Sequence, residues 1–315
     1  MGSVSRSSLR ALALAIPTLL LATLVVFLLV QIMPGDAAVA IAGESATADI
    51  IAALREQLGL NDPVLVQYWH WLSHAVRLDF GQSLFTQVPV ATAIGNTIQP
   101  TLQIVLGGLI VSAVVGVAGG VASARRARRA SGQLISSATS IGVAMPSFWL
   151  GLILVSVFAL QLHVFPATGF VPFVTDPVQS LRTTVLPAVA IGLVGAAEVG
   201  RQLRSVMISV LDSDHVRTLR ASGIPSRSIV WRHAMRNSAI PLVTILGLQI
   251  NRFLGATVVI EAVFGIPGMG SLIVRAAQQQ DLPVVQGVVM VMVLIVIGTN
   301  LVTDIVYRLV DPRIR

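Results

Sequence analysis

His70 and His74 are four residues apart, so on a helix they share a face. A zinc-protease helix would carry glutamate directly after the first histidine, and Trp71 occupies that place. The pair therefore reads as one edge of an amphipathic, aromatic helix at a membrane surface. His163 and His215 stand alone in loops with no sequence neighbour to partner them. No G-x-S-x-G run offers a serine nucleophile. Cysteine is absent, and all 21 basic residues are arginine. That excludes disulfides, thiolate metal sites, Schiff-base lysines and the lysine of a phosphate-binding loop. Bond chemistry finds no constellation here.

What remains is charge and shape inside apolar sequence. An ionisable residue at bilayer depth costs several kcal/mol unless paired or wetted, so each is a candidate site. Glu198 has Arg201 at i+3 and reads as a local pair. Arg252 lies near the middle of an apolar stretch with Gln249 at i−3, which predicts a polar face on a cavity rather than on lipid. A guanidinium on that face could meet a carboxylate with two hydrogen bonds. The alternative is a fixed pair with Glu198 or with an acid on a partner chain. Asp304 reads as a cap or an interhelical partner. Pro146, followed by Ser147, sits mid-way along another apolar stretch and predicts a kink. Gly116 and Gly120 form a G-x-x-x-G pattern suited to close helix packing.

These residues need a membrane scaffold. The 315 residues are 55% hydrophobic and 11% charged, against roughly 25% charged in a soluble domain. Mean hydropathy is +0.84 and net charge +7. The expectation is an all-α polytopic membrane protein, without nucleic acid as a partner and with lipid around it. A span needs about 20 apolar residues, and six stretches qualify: about Leu9–Gln31, Thr101–Ala122, Leu134–Leu162, Val185–Leu203, Ile240–Val263 and Val284–Val306. The first is too long for a signal-peptide core and reads as an uncleaved span, although Ala38 and Ala40 offer a small-residue site. Arginines concentrate before the first span, at 125–129, at 201–236 and at the C-terminus. The positive-inside rule then puts both termini in the cytoplasm.

Two connections are long. Residues 33–97 contain Asp49–Leu58 and Val64–Val76, both amphipathic, with Asp62 before Pro63 as a start signal. Residues 204–237 predict a helix from Ser205, a left-handed closure at Gly223, and a second helix with Pro225 in its first turn. Ile229, Val230 and Trp231 would then form an exposed apolar edge for docking. The expected organisation is a first span plus outer loop over 1–97 and a five-helix core over 98–315, with the long cytoplasmic loop at about 204–237.

The stretch DHVRTLRASGIPSRSIVWRHAMRNSAIPLVT, Asp214 to Thr244, resembles the EAA loop of binding-protein-dependent ABC importer permeases. It is most similar to the dipeptide/oligopeptide subfamily, the B-type subunit. FLLVQIMPGD (27–36), LREQLGLNDPVLVQYWHWL (54–72), MPSFWLGLIL (145–154), VVIEAVFGIPGMGSLIVRA (258–276), DLPVVQG (281–287) and DPRIR (311–315) extend the resemblance in the family's order. Gly223 matches the pattern's turn glycine, whereas Arg217 stands where many importers have an acid.

The resemblance implies the type I importer permease fold in a bacterial inner membrane, with no catalysis or cofactor in this chain. ATP and magnesium would be bound by two partner ATPase subunits or domains. A second homologous permease and an external substrate-binding protein would complete the assembly. It also implies site residues. Arg217, Ala221, Gly223, Ile229, His233 and Arg236 would form the coupling loop. Glu261, Phe264, Gly265, Pro267 and Gly268 would form the outer gate, with Asp281 capping the last span and Pro283 in its first turn. Pro146, Ser147, Gln249 and Arg252 would border the path. Peptides are the expected cargo, with nickel chelates as an alternative solute and ion-coupled secondary transport as the rival mechanism.

Overall fold

A computed structural model describes residues 17–28, 31, 37–42, 46–57, 59–127 and 129–310. Contacts divide the chain into one unit of residues 1–99 with 267–298, and a second of 100–266 with 299–315. Residues 267–298 thus associate with the N-terminal stretch although the sequence places them far away.

In the first unit, α1 (Pro17–Leu28) is a short apolar helix. The rest of the expected first span, apart from Gln31, lies outside the described residues. Helices α2 (Ala37–Ala42), α3 (Ala48–Gln57) and α4 (Val64–Ala75) follow. The two amphipathic helices fall where periodicity predicts them. Pro63, not Asp62, is the N-cap of α4, with no side-chain capping bond. Gln67 of its first turn reaches back to hold the preceding turn, its Nε2 donating to the carbonyls of Leu60 and Asp62 at 3.0 and 2.8 Å. Helix α1 meets α4 through aromatic packing: Phe27 lies 5.6 Å from Tyr68 and 6.0 Å from Trp71, centroid to centroid. The Thr23 and Tyr68 hydroxyls are 2.9 Å apart.

Helix α5 (Val90–Arg125) contributes its first turns to this unit and its remainder to the second. Around it in the second unit stand α6 (Ala130–Ala144), α7 (Ser147–Leu154, continuing in wider π-type turns to Gln161), α8 (Pro177–Leu211) and α12 (Ala239–Phe264). Between α8 and α12 lie α9 (Asp214–Ala221), α10 (Ser226–Ser228), π-type turns at Ile229–Ala234 and α11 (Met235–Asn237). Helices α13 (Met269–Gln278) and α14 (Leu282–Val310) complete the chain.

Among the described residues, α5, α8, α12 and α14 are long and apolar enough to span a bilayer. The expected third span is not one helix. Helices α6 and α7 meet at 102°, so the expected kink is a complete break. Pro146 lacks an N–H and pushes its predecessor out of helical geometry. Met145 accordingly sits at φ −81°, ψ 130°. The pair counts as a fifth span only if the break is crossed as one.

Helix α8 is the central strut. Its most apolar window is 78% buried, against 22–39% for the other three. It begins earlier than hydropathy predicts because Asp176 accepts bonds from the amides of Val178 and Gln179, with Pro177 in the first position. It packs on α5 along a glycine seam. A Cβ at Gly116 would lie 2.8 Å from both the Ala196 carbonyl oxygen and Val199 Cβ, and one at Gly120 would lie 3.0 Å from the Gly200 carbonyl oxygen. The opposite face of α5 presents Leu106, Ile110 and Val114 at four-residue intervals, 53–65% exposed. Small inside and large outside is the pattern of a lipid-facing helix.

Candidate coupling site and translocation surfaces

The coupling loop is built on the ends of α5 and α8. Helix α8 runs on to Leu211 rather than ending with its apolar run, so α9 starts at Asp214, not Ser205. Gly223 closes α9 in the left-handed region at φ 78°. Its amide donates to the Arg220 carbonyl, and the next amide, Ile224, donates to Leu219, both at 3.1 Å. These two bonds satisfy carbonyls that the helix end leaves open. Pro225 is extended and caps the following turn from outside it.

Ile229 and Val230 are buried, at 2% and 4% exposure, rather than forming the expected docking edge. With Val216 and Ala234 they pack on Leu203, Met207 and Leu211 of α8 and on Val121 and Ala124 of α5. Burial wins because one face of the loop must cover the apolar ends of those helices. Trp231 alone keeps the exposed role, at 52%. Arg217, Ala221 and Arg236 are exposed, and Arg217 Nη1 donates to Asp214 Oδ1 at 3.0 Å. His215, expected to be solitary, stands 6.1 Å from the His233 ring, edge to face.

The expected path residues separate. Pro146 is exposed and Ser147 half-buried at the α6–α7 break. Gln249 is 3% exposed, its Nε2 reaching 3.5 Å to the Gly195 carbonyl of α8. It makes a contact between α12 and α8. Arg252 is exposed yet close enough to Glu198 of α8 to interact with its charge, the alternative that its sequence position leaves open. Glu198 pairs locally as expected, accepting from Arg201 Nη2 at 2.7 Å and also from Gln202 Nε2. Asp304 is exposed, so it forms no buried interhelical contact.

A polar groove that sequence reasoning passed over lies between α6 and α8. It encloses about 480 Å³ and is lined by Gln133, Ser136, Ser137, Ser140, Ile141 and Arg204. Arg204 Nε is buried there with no hydrogen-bond partner among the described residues. The signal was available: residues 133, 136, 137 and 140 share one helical face in an otherwise apolar stretch.

Of the expected outer-gate residues, Glu261, Phe264 and Gly268 are buried and Gly265 and Pro267 exposed. Glu261 is fully buried, and its carboxylate accepts the Thr101 hydroxyl at 2.6 Å. Phe264 is 2% exposed, and its carbonyl accepts the Gly169 amide at 3.0 Å. Gly265 closes α12 at φ 59°, with Ile266 N–H reaching back to the Glu261 carbonyl. In the other unit, Pro267 is exposed and Gly268 is the N-cap of α13. Asp281 is buried and turns its carboxylate to the 83–84 turn rather than only capping α14. It accepts from Ser83 Oγ at 2.5 Å and the Leu84 amide at 3.2 Å. Pro283 does occupy the first turn of α14.

Long apolar helices packed on a buried strut, with a closed helix pair on the strut's end, define a multi-span membrane protein. Residues 116–315 match the family model "binding-protein-dependent transport system inner membrane component", and residues 5–105 match the N-terminal model of such membrane components. A peptide transport system permease protein of Brucella abortus is 36% identical over 307 residues, covering 98% of each chain. Glutathione transport system permease proteins of Salmonella typhimurium and Escherichia coli K12 are each 37% identical, covering 98% and 95% of each chain respectively. The chain belongs to the binding-protein-dependent inner-membrane permease family, and its apolar helices place it in the inner membrane as a multi-pass subunit.

Proposed function

We propose that this permease forms half of the translocation path of an ATP-driven importer of peptides. A second, homologous permease supplies the other half. Two ATP-binding subunits or domains hold ATP and magnesium, and an external binding protein delivers the cargo. The permease itself makes and breaks no bonds. Both termini and the 125–129 loop face the cytoplasm, while the 40–90 stretch and 263–280 face outside.

The observation that carries this reading is the seating of the coupling loop. Ile229, Val230 and Val216 are buried against Leu203, Met207 and Val121, so a force on the loop cannot be absorbed by the loop alone. It passes to α5 and α8. Arg217, Trp231 and Arg236 remain outside for an ATPase cleft to grip. Closure of the ATPases then draws two such loops together and turns the spans from inward-open to outward-open. Moving that equilibrium from 1:99 to 99:1 takes about 5.5 kcal/mol of differential binding. ATP and the loaded binding protein supply it.

The peptide cargo rests on the relatives' names and on cationic, hydrogen-bonding surfaces at Arg252 and in the Arg204 groove. The test is uptake of short labelled peptides into proteoliposomes holding the assembled complex and its binding protein. Uptake should require ATP. Uptake driven by an ion gradient without ATP would overturn the mechanism, and ATP-dependent uptake of a nickel chelate but of no peptide would overturn the cargo.

A further inference from the structure

A cavity of about 650 Å³ lies where the last turns of α5 and α8 meet the coupling loop. Its walls carry Arg125, Arg126, Arg129 and Arg220, opposed by one acid, Asp212. Apolar Ala122, Ile208, Leu211 and Val230 line the remainder. None of the four arginines is ion-paired with a described residue. Guanidiniums gathered in one concavity repel each other unless an anion lies between them, and their planar forks suit phosphate oxygens.

We propose that this cavity binds the phosphate-bearing headgroup of an anionic phospholipid. Three features favour a lipid over a soluble anion. The cavity reaches Ala122, where the apolar run of α5 ends, and so borders the headgroup layer. Its lining is half apolar, which suits the glycerol and upper acyl chain and offers nothing to free phosphate. Its cations come from two separate elements, the α5 end with its following turn and α9. A bound headgroup therefore ties the coupling helix to the span ends. Basic pockets between spans hold anionic headgroups in this way. The inference does not depend on which solute is transported.

The test uses the full assembled importer in neutral detergent, exchanged with phosphatidylglycerol or phosphatidylcholine, with retained lipid counted by native mass spectrometry. The wild type should retain phosphatidylglycerol over phosphatidylcholine. R126Q/R220Q should weaken that retention roughly 30-fold, at about 1 kcal/mol per arginine. R227Q/R232Q removes the same charge from exposed loop positions outside the cavity and should leave retention unchanged. The permease chain without its ATPases should retain the lipid too, and millimolar inorganic phosphate should not displace it. Equal retention in the two double variants overturns the proposal. So does displacement by inorganic phosphate, which would mark a soluble-anion site. Retention only in the presence of the ATPases also overturns it, because the lipid would then sit on the docking interface.

Discussion

The Thr101 hydroxyl donates to the Glu261 carboxylate across 2.6 Å, joining α5 to α12 between two residues with no exposed surface. A buried carboxylate that loses a donor keeps its desolvation cost. Thr101→Val should therefore destabilise the protein by about 1–3 kcal/mol. In E261Q the same threonine change should cost measurably less, because the pair is coupled. Thermal unfolding of the four species in detergent measures the coupling, and strictly additive losses would remove the pair's significance.

The α5–α8 seam gives a contrast between glycines on one helix. A Cβ at Gly116 meets a carbonyl and a β-carbon at 2.8 Å, whereas one at Gly119 meets nothing within 4 Å. Gly116→Leu should destabilise by roughly 1–3 kcal/mol through overpacking. Gly119→Ala should be neutral or stabilise by about 0.5–1 kcal/mol. Equal melting temperatures for the two variants would refute the seam.

Helices α5, α8, α12 and α14 were legible because a bilayer demands long apolar runs, and Gly223 because a left-handed closure needs glycine. The end of α8 was not, since a helix can outrun its apolar stretch when no breaker intervenes before Asp212. Ile229 and Val230 were misjudged because their burial depends on Leu203 and Met207, residues that periodicity within the loop cannot supply. Asp281 was half-read: its place before α14 is local, but its bonds to Ser83 and Leu84 join residues nearly two hundred positions apart.

Outside the spans, the Asp79 carboxyl is held below its ordinary value. The chief cause is its hydrogen bond with His74, followed by the bond from the Gly81 amide. A depressed acid stabilises the fold above its unfolded value, 3.8, and loses that contribution as pH falls through the lowered one. The protection factor of the Gly81 amide, its exchange relative to an unstructured peptide at the same pH, should thus fall only on acidification below that range. In Asp79→Asn the exchange should be faster from neutral pH down, with the acid step gone. An acid step that survives in Asp79→Asn would assign it to another group.

Arg252 is exposed on α12, beside Glu198 of α8. Under the path reading, Arg252→Gln leaves assembly intact and lowers transport of free-carboxylate peptides about tenfold more than that of C-terminally amidated ones. Equal loss for both, in a stably assembled complex, would rule out carboxylate contact. Loss of assembly would make Arg252 part of the subunit interface.

Gly223 has φ 78° and open space around its α-carbon, so any substitution acts through backbone strain alone. Gly223→Val should cost about 1–2 kcal/mol in the turn. It should leave ATP hydrolysis running while transport falls, because the loop no longer holds its closed form. Gly223→Asn should retain most transport, since asparagine tolerates this conformation. Transport lost equally in both variants would indicate that glycine is needed for contact rather than for the turn.

Docking of the 214–237 loop onto an ATPase is the claim on which the mechanism stands, and the absence of native cysteine makes it directly measurable. Ser222 is exposed beside Gly223, so Ser222→Cys can carry a short photo-crosslinker in membranes from cells expressing the whole importer. The account predicts one dominant adduct, containing the ATP-binding subunit, with a yield that changes when ATP is added. An adduct with the external binding protein, or none in a complex that transports normally, would contradict it.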